Sequence, residues 1–253
     1  MELRTEIPGV YRSSVLRVPV DVLAEERFEE AVSAILDREI QCQIVLLRFP
    51  DLMRARRNKE YREILRNAGL VIPLSTSIVR GARFLLHTEP VTYMPFNFVV
   101  RLLSVLEKRG ASLYLLGLDR KDMETVEQNV RQTFPGLRLV GRYHGFYPKY
   151  LEESIVTAIK KAGPSCLLVG SGVGDGTRWL YRYRHRFHPG IQLWAPEVLD
   201  IFADRRKRPS RKKSERTLRT IGTLLRHPWR VLRVLLYCWY GLLLLIFRLF
   251  RLS

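Results

Sequence analysis

The sequence is short of acid, of cysteine and of long apolar runs, and each shortage removes a class of protein. It carries 25 Asp and Glu against 43 Lys and Arg, a formal net charge of +18 over 253 residues. Such an excess points to an anionic partner: nucleic acid, acidic lipid or a phosphorylated substrate. The three cysteines, Cys42, Cys166 and Cys238, are odd in number and far apart. They offer neither a zinc spacing nor a disulfide framework. Cys42 and Cys166 lie in apolar runs and read as buried thiols. There is no Asp-x-Asp pair of the kind that holds a metal beside a transferred sugar or phosphoryl group, so no metal and no cofactor are expected. The opening Met-Glu-Leu-Arg-Thr-Glu has no apolar core of a secretory signal, which reads as cytoplasmic. The uncharged run Val234–Phe247 is 14 residues long, and a spanning helix needs about 20.

What remains is ordinary for a folded core. The chain is 47% hydrophobic and 27% charged, which argues against bulk disorder. Strand-like and helix-like segments alternate. Leu16–Val20, Gln43–Leu47 and Leu70–Pro73 read as strands; Leu23–Leu36, Asp51–Ala68 and Phe96–Lys108 read as helices. Ser112–Leu118 and Ser165–Val169 are continuous apolar runs, as expected of adjacent or near-adjacent central strands buried on both faces. Helices are expected from about Lys121 to Phe134, over Leu151–Ala162 and from Thr177, with a further strand at Leu137–Gly141. This order predicts an α/β protein: a Rossmann-like parallel sheet with helices on both faces, over residues 1–204.

Residues 205–253 form a different region, a basic and amphipathic C-terminal tail. From Arg205 to Arg251 there are 14 Lys and Arg and one acid, Glu215, so the tail holds most of the net charge. Arg216, Arg219, Arg226, Arg230 and Arg233 recur at helical steps, opposite Leu218, Ile221, Leu225 and Leu232. Pro228 breaks or kinks the pattern. Arginines over lipid phosphates, with Trp229, Trp239 and leucines in the interface, describe a peripheral membrane anchor. Nucleic acid and a dimerisation helix are the rival partners. The Leu-rich run Leu235–Phe247 favours membrane, because phosphate contacts on nucleic acid need no such surface and its exposure to water would promote aggregation. A homo-oligomer is left open.

The candidate site residues cluster after strands. Gly170-Ser171-Gly172-Val173-Gly174-Asp175-Gly176 lies between a strand and a helix, where backbone N–H groups can meet a diphosphate. The dinucleotide spacing and the Walker lysine are both absent, and a tight strand-to-helix turn explains the glycines equally well. Gly117 and the loop His144-Gly145-Phe146-Tyr147 also follow strands. Asp51, Asp175 and Asp200 stand at predicted element ends, where catalysis and helix capping both use carboxylates. His185 and His188 show no ligand spacing.

Several stretches together carry a resemblance. They are Val18-Pro19-Val20-Asp21, Arg56-Arg57, Ala68-Gly69-Leu70-Val71-Ile72-Pro73, Leu115-Leu116-Gly117, Phe134-Pro135-Gly136-Leu137-Arg138-Leu139-Val140-Gly141, His144-Gly145-Phe146, and Leu168-Val169-Gly170 with Gly172 and Trp179. In this order and spacing the chain resembles the WecG/TagA/CpsF family of bacterial glycosyltransferases, from about Val18 to the C-terminus. The resemblance implies a Rossmann-like fold and a nucleotide-sugar donor, UDP-linked and of the N-acetylhexosamine type. It implies a lipid-linked saccharide acceptor and an inverting, metal-independent hexosyl transfer in cell-envelope polysaccharide synthesis. It also implies a C-terminal membrane-targeting appendage, and so a peripheral place on the inner face of the cell membrane. Gly117, His144, Gly145, Phe146, Gly170, Gly172 and Asn97 are the nucleotide-sugar-binding candidates.

The polar positions of the family pattern are where this sequence departs from it. The family's Thr-Pro-Asn falls on Leu46-Leu47-Arg48, and its Pro-Asp-Gly, with the aspartate assigned as base, on Pro73-Leu74-Ser75. The arginine and aspartate of the next segment fall on Thr92 and Asn97, and its Ser-Pro-Lys-Gln-Glu on Val173-Gly174-Asp175-Gly176-Thr177. A leucine cannot accept a proton. Two expectations follow: an active transferase whose chemistry is rebuilt, with Asp51 or Asp175 as catalytic candidates, or an inactive homologue that binds a nucleotide sugar, a glycan lipid or a partner protein.

Overall fold

A computed structural model describes residues 2–3, 7–86, 90–208 and 228–250. Its centre is a six-stranded, wholly parallel sheet. In chain order its strands are β4 (Gln41–Leu47), β5 (Leu70–Pro73), β6 (Ser112–Leu116), β7 (Arg138–Tyr143), β8 (Cys166–Val169) and β9 (Gly190–Trp194). In space they run β5-β4-β9-β8-β6-β7. Every residue of β6 and β8 is buried, and the two strands pair directly, as their unbroken apolar character requires.

One face of the sheet is covered by α1 (Phe28–Asp37), α5 (Pro95–Lys108), α6 (Arg120–Thr133) and α9 (Pro196–Phe202). The other carries α2 (Phe49–Arg57), α3 (Lys59–Asn67), α4 (Thr76–Leu86), α7 (Glu152–Ala162) and α8 (Gly176–Tyr183). The expected α/β architecture is therefore present. Cys42 and Cys166 are buried among these layers, and burial pushes the Cys166 thiol up to about 12.

Several boundaries differ from expectation. A small antiparallel sheet precedes the parallel one: β1 (Glu2–Leu3), β2 (Val10–Val15) and β3 (Val18–Leu23). Leu16 and Arg17, expected inside a strand, form its hairpin turn with φ of 54° and 66°, the mirror-image turn whose twist suits a two-residue hairpin. Arg12 clamps Asp21 through two hydrogen bonds of 2.7 Å, and Asp21 accepts the Val71 N–H at 2.7 Å. That pins the small sheet to β5. The helix expected over Asp51–Ala68 is two helices, because the Asn58 side chain accepts the Tyr61 N–H at 2.8 Å and starts α3 afresh. The helix expected from Leu23 begins at Phe28, with Leu23 closing β3.

The last helix is α10 (Pro228–Leu249). It packs on α4 and α2 with Tyr240, Leu243, Leu244 and Phe247 buried. The Tyr240 hydroxyl donates to the Ser77 carbonyl at 3.1 Å, and Gly81 leaves the room that this phenol occupies. Tyr237 stacks on Phe49 at 4.6 Å. Trp239, Leu242, Leu245 and Leu249 point outward and are exposed. Among the described residues no helix is long and apolar enough to cross a membrane.

Candidate functional site

At the C-terminal ends of the strands the sheet offers two unlike regions. The first lies over β8, β6 and β7, where Gly117, the Gly145–Phe146 turn and Gly170–Gly172 meet. Their backbones are tied to one another. Gly117 N–H donates to Tyr143 O at 3.0 Å, Leu118 N–H to Ser171 O at 2.8 Å, and Gly145 N–H to Leu118 O at 2.7 Å. Phe146 N–H donates to Gly172 O and Gly170 N–H to Leu116 O, both at 2.7 Å. The loops approach so closely that a Cβ on Gly117, whose φ is +133°, would sit 2.8 Å from the Gly170 backbone. Glycine is required there for contact as well as for conformation.

These amides are thus already engaged within the loop cluster. The candidates Gly117, Gly145, Gly170 and Gly172 are brought together, with Phe146 on their rim at 69% exposure and a φ of +53°. His144 stacks on Tyr143 at 4.6 Å, and its Nδ1 lies 2.9 Å from the Gly145 carbonyl. Asn97 stands apart, exposed in the first turn of α5.

The second region is a half-open pocket over β5, β4 and β9. Leu46 and Leu74 come from the ends of β4 and β5, which remain in register beyond the strands through Leu74 N–H to Leu47 O at 2.9 Å. Trp194 and Pro196-Glu197 come from the end of β9 and the start of α9. Tyr61 and Thr177 close the floor from α3 and α8. Buried Gln43 holds the start of α8 in place, its amide donating to Thr177 O at 2.9 Å.

The two regions touch at Trp194, whose indole N–H donates to the Gly170 carbonyl at 3.1 Å. The Trp194 ring lies where a Cβ on Gly176 would be. A glutamine at position 176 would therefore meet the indole.

Charge is arranged around the pocket's edge. Arg48, in the extended residue that opens α2, donates through Nη1 to Glu197 Oε1 at 2.7 Å. This pair joins the β4–α2 and β9–α9 turns. Asp51 accepts the Arg48 N–H and Nε–H, each at 3.3 Å, in a capping role. Asp175 caps α8, accepting the Arg178 N–H at 3.3 Å, and pairs with Arg54 at 2.8 Å. Arg54 in turn lies 4.3 Å over the Tyr61 ring. Burial, reinforced by the charges of Asp51 and Asp175, pushes the Tyr61 phenol above its ordinary value, so it keeps its proton at neutral pH.

Of the two catalytic candidates, Asp51 lines this pocket and Asp175 stands beside it in the Arg54–Arg178 network. Asp200 lies within α9, while His188 borders a separate hollow near Gly163 and Gly190. Glu197 was not singled out from sequence; the only local signal is an Ala-Pro-Glu that starts a helix directly after a strand. Among the described residues no group of three or more His, Cys, Asp or Glu could hold a metal ion.

Of the membrane-binding candidates, Arg216, Arg219 and Arg226 lie outside the described residues. Trp229, Arg230 and Arg233 fall in the first two turns of α10, and Trp239 is exposed on its outer face.

Comparison with known proteins adds a family and relatives. The family described as Glycosyl transferase WecG/TagA/CpsF matches residues 13–253. Among curated proteins, the chain is similar to N-acetylglucosaminyldiphosphoundecaprenol N-acetyl-beta-D-mannosaminyltransferases of Staphylococcus aureus. For strains NCTC 8325 and COL the identity is 21% over 151 residues, covering 60% of this chain and 59% of the relative. For strain MRSA252 it is 20% over the same length. The match thus spans about three fifths of these relatives' length.

Proposed function

The chain belongs to the glycosyl transferase WecG/TagA/CpsF family, and on that premise we propose that it moves an N-acetylhexosamine-type sugar from a nucleoside diphosphate to a lipid-linked saccharide at a membrane surface. One observation carries this reading. The pocket over β5, β4 and β9 is lined by Leu46, Arg48 and Leu74, the positions onto which the family's polar Thr-Pro-Asn and Pro-Asp-Gly fall. Two segments far apart in sequence thus converge where open α/β sheets bind ligands, beyond the carboxyl ends of the strands.

The relatives' names supply the substrate class. They describe transfer of an N-acetylmannosamine unit onto an N-acetylglucosamine carried by a polyprenyl diphosphate. In this chain the donor diphosphate lies near Arg48, with the sugar against the apolar wall of Leu46, Leu74 and Trp194. The glycine cluster, including Gly117, Gly145, Gly170 and Gly172, shapes the pocket's far side through Trp194. Phe146, exposed on the glycine cluster, and His144, in a separate hollow beside Arg142 and Tyr143, lie outside this pocket. The reaction is a single displacement that inverts the anomeric carbon.

The membrane reading rests on α10 and the basic segment before it. The outer face of α10, with Trp239, Leu242, Leu245 and Leu249, is apolar and exposed, while its inner face is already buried on α4. A face of this kind lies in a lipid interface, and cations near it are attracted to acidic headgroups. The protein sits peripherally on the leaflet that carries its acceptor.

Calorimetry with a panel of UDP-sugars, followed by transfer assays onto a short polyprenyl-diphosphate-linked N-acetylglucosamine, tests the reading. Expected are binding of one donor class and transfer to that acceptor. Failure of every nucleotide sugar to bind would overturn it. Binding without transfer would mean that the pocket holds its ligand for a partner protein.

A further inference from the structure

We infer that Glu197 is the proton acceptor of the transfer, and that Arg48 is the switchable cation that guards it until the donor arrives. The inference deepens the reading above and rests on it. At position 74, where the family resemblance places a carboxylate base, this chain has leucine, and Leu74 and Glu197 line the same pocket. The carboxylate has thus moved from the end of β5 to the first turn of α9, without leaving the cavity.

The other ionisable groups of the pocket are committed elsewhere. Tyr61 is buried and keeps its proton. Asp51 is an N-terminal cap of α2, and its Oδ2 takes both the main-chain and the side-chain N–H of Arg48. Glu197 is half exposed and pairs with Arg48 through a single 2.7 Å contact. It can be released without unfolding a turn.

Arg48 has a second use. A guanidinium between a carboxylate and an open pocket can exchange that carboxylate for a diphosphate, a ligand it binds in the same planar, two-pronged way. In the step itself, the acceptor hydroxyl oxygen forms a bond to the anomeric carbon and its proton passes to a Glu197 Oε. The bond from the anomeric carbon to the diphosphate oxygen breaks, and its electron pair leaves with the nucleoside diphosphate. Glu197 becomes neutral as the leaving diphosphate gains charge, so the Arg48 cation faces an anion throughout.

The test uses the full chain with a bound UDP-sugar and the polyprenyl-diphosphate-linked acceptor. Glu197→Gln keeps shape and removes the base. Its kcat is expected to fall at least about 100-fold, with donor affinity within threefold of wild type. The acid limb of the wild-type kcat/KM profile should vanish in this variant. Glu197→Asp should recover part of the rate. Arg48→Gln should weaken donor binding at least about tenfold, which a purely structural pair would not do selectively. Transfer by Glu197→Gln within fivefold of wild type, or an acid limb that survives the change, overturns the assignment. So does wild-type protein that binds donor but transfers to no acceptor. If wild type binds no nucleotide sugar at all, the glycosyltransferase reading itself falls, and the base assignment falls with it.

Discussion

Two ends of one sheet edge are built by opposite means. Over β8, β6 and β7 the loops are sewn together by main-chain hydrogen bonds, with glycines at the points of closest approach. Over β5, β4 and β9 the loops are held by side chains: the Arg48–Glu197 pair, the Asp51 cap, and the Ser75 hydroxyl that accepts the Phe49 N–H at 2.9 Å. An amide that already donates to a neighbouring carbonyl is not free to hold phosphate. A guanidinium whose partner is half exposed can change that partner at little cost. The first end is therefore a rigid support, and the second is where a ligand can be exchanged.

The largest effect that can break this contrast is at Gly117. Gly117→Ala forces a Cβ against the Gly170 backbone at a φ of +133°, and the cost should be about 2–4 kcal/mol by urea unfolding. Gly174→Ala is the control: its φ is +70° but nothing lies within 4 Å, so about 1 kcal/mol is expected. Equal costs at the two positions would show that the glycine cluster is not tightly sewn.

Next in size is Tyr240→Ala. Tyr240 is buried between α10 and α4, and its hydroxyl bonds to Ser77 O. Its truncation should destabilise the chain by about 3 kcal/mol and loosen α10 beside the pocket end. Vesicle flotation sharpens the same point. Leu242→Ser with Leu245→Ser, on the exposed face, should lower binding to anionic vesicles at every salt concentration and leave the melting temperature nearly unchanged. A large loss of stability in that double variant would mean that the outer face is structural.

A smaller effect is expected where the two ends meet. Gly176→Gln should cost about 1–3 kcal/mol, because the new side chain meets the Trp194 indole. Adding Trp194→Ala should return part of that loss. A cycle with no coupling between the two sites would separate them. Smallest of all is the Arg48–Glu197 pair itself. Both side chains are close to half exposed, so Glu197→Gln should alter stability by no more than about 1 kcal/mol, even though its predicted effect on turnover is large.

Periodicity was enough for much of the frame. The apolar runs at Ser112–Leu118 and Ser165–Val169 identified the central pair β6 and β8, and the helices α5, α6 and α7 lie within a residue or two of expectation. The misses have physical causes. Leu16-Arg17 takes a turn with positive φ without the glycine or asparagine that would advertise it. Asn58 ends one helix and caps the next inside a run that reads as continuous. Helix α4, over Thr76–Leu86, was not anticipated. Strand β9 and helix α9, which supply Trp194 and Glu197, were not anticipated either.

The sequence by itself determined the class of fold and the family, and it places most of the net charge after residue 204, because hydrophobic period and charge are properties of neighbours along the chain. Only the tertiary structure decided which end of the sheet is open. Arg48 and Glu197 are 149 residues apart, and they meet because the crossovers bring β9 beside β4. The same packing spends the Gly117, Gly145 and Gly170 amides on the carbonyls of Tyr143, Leu118 and Leu116 and lays Trp194 over Gly176. Contacts of that range come from strand order, which no local pattern encodes.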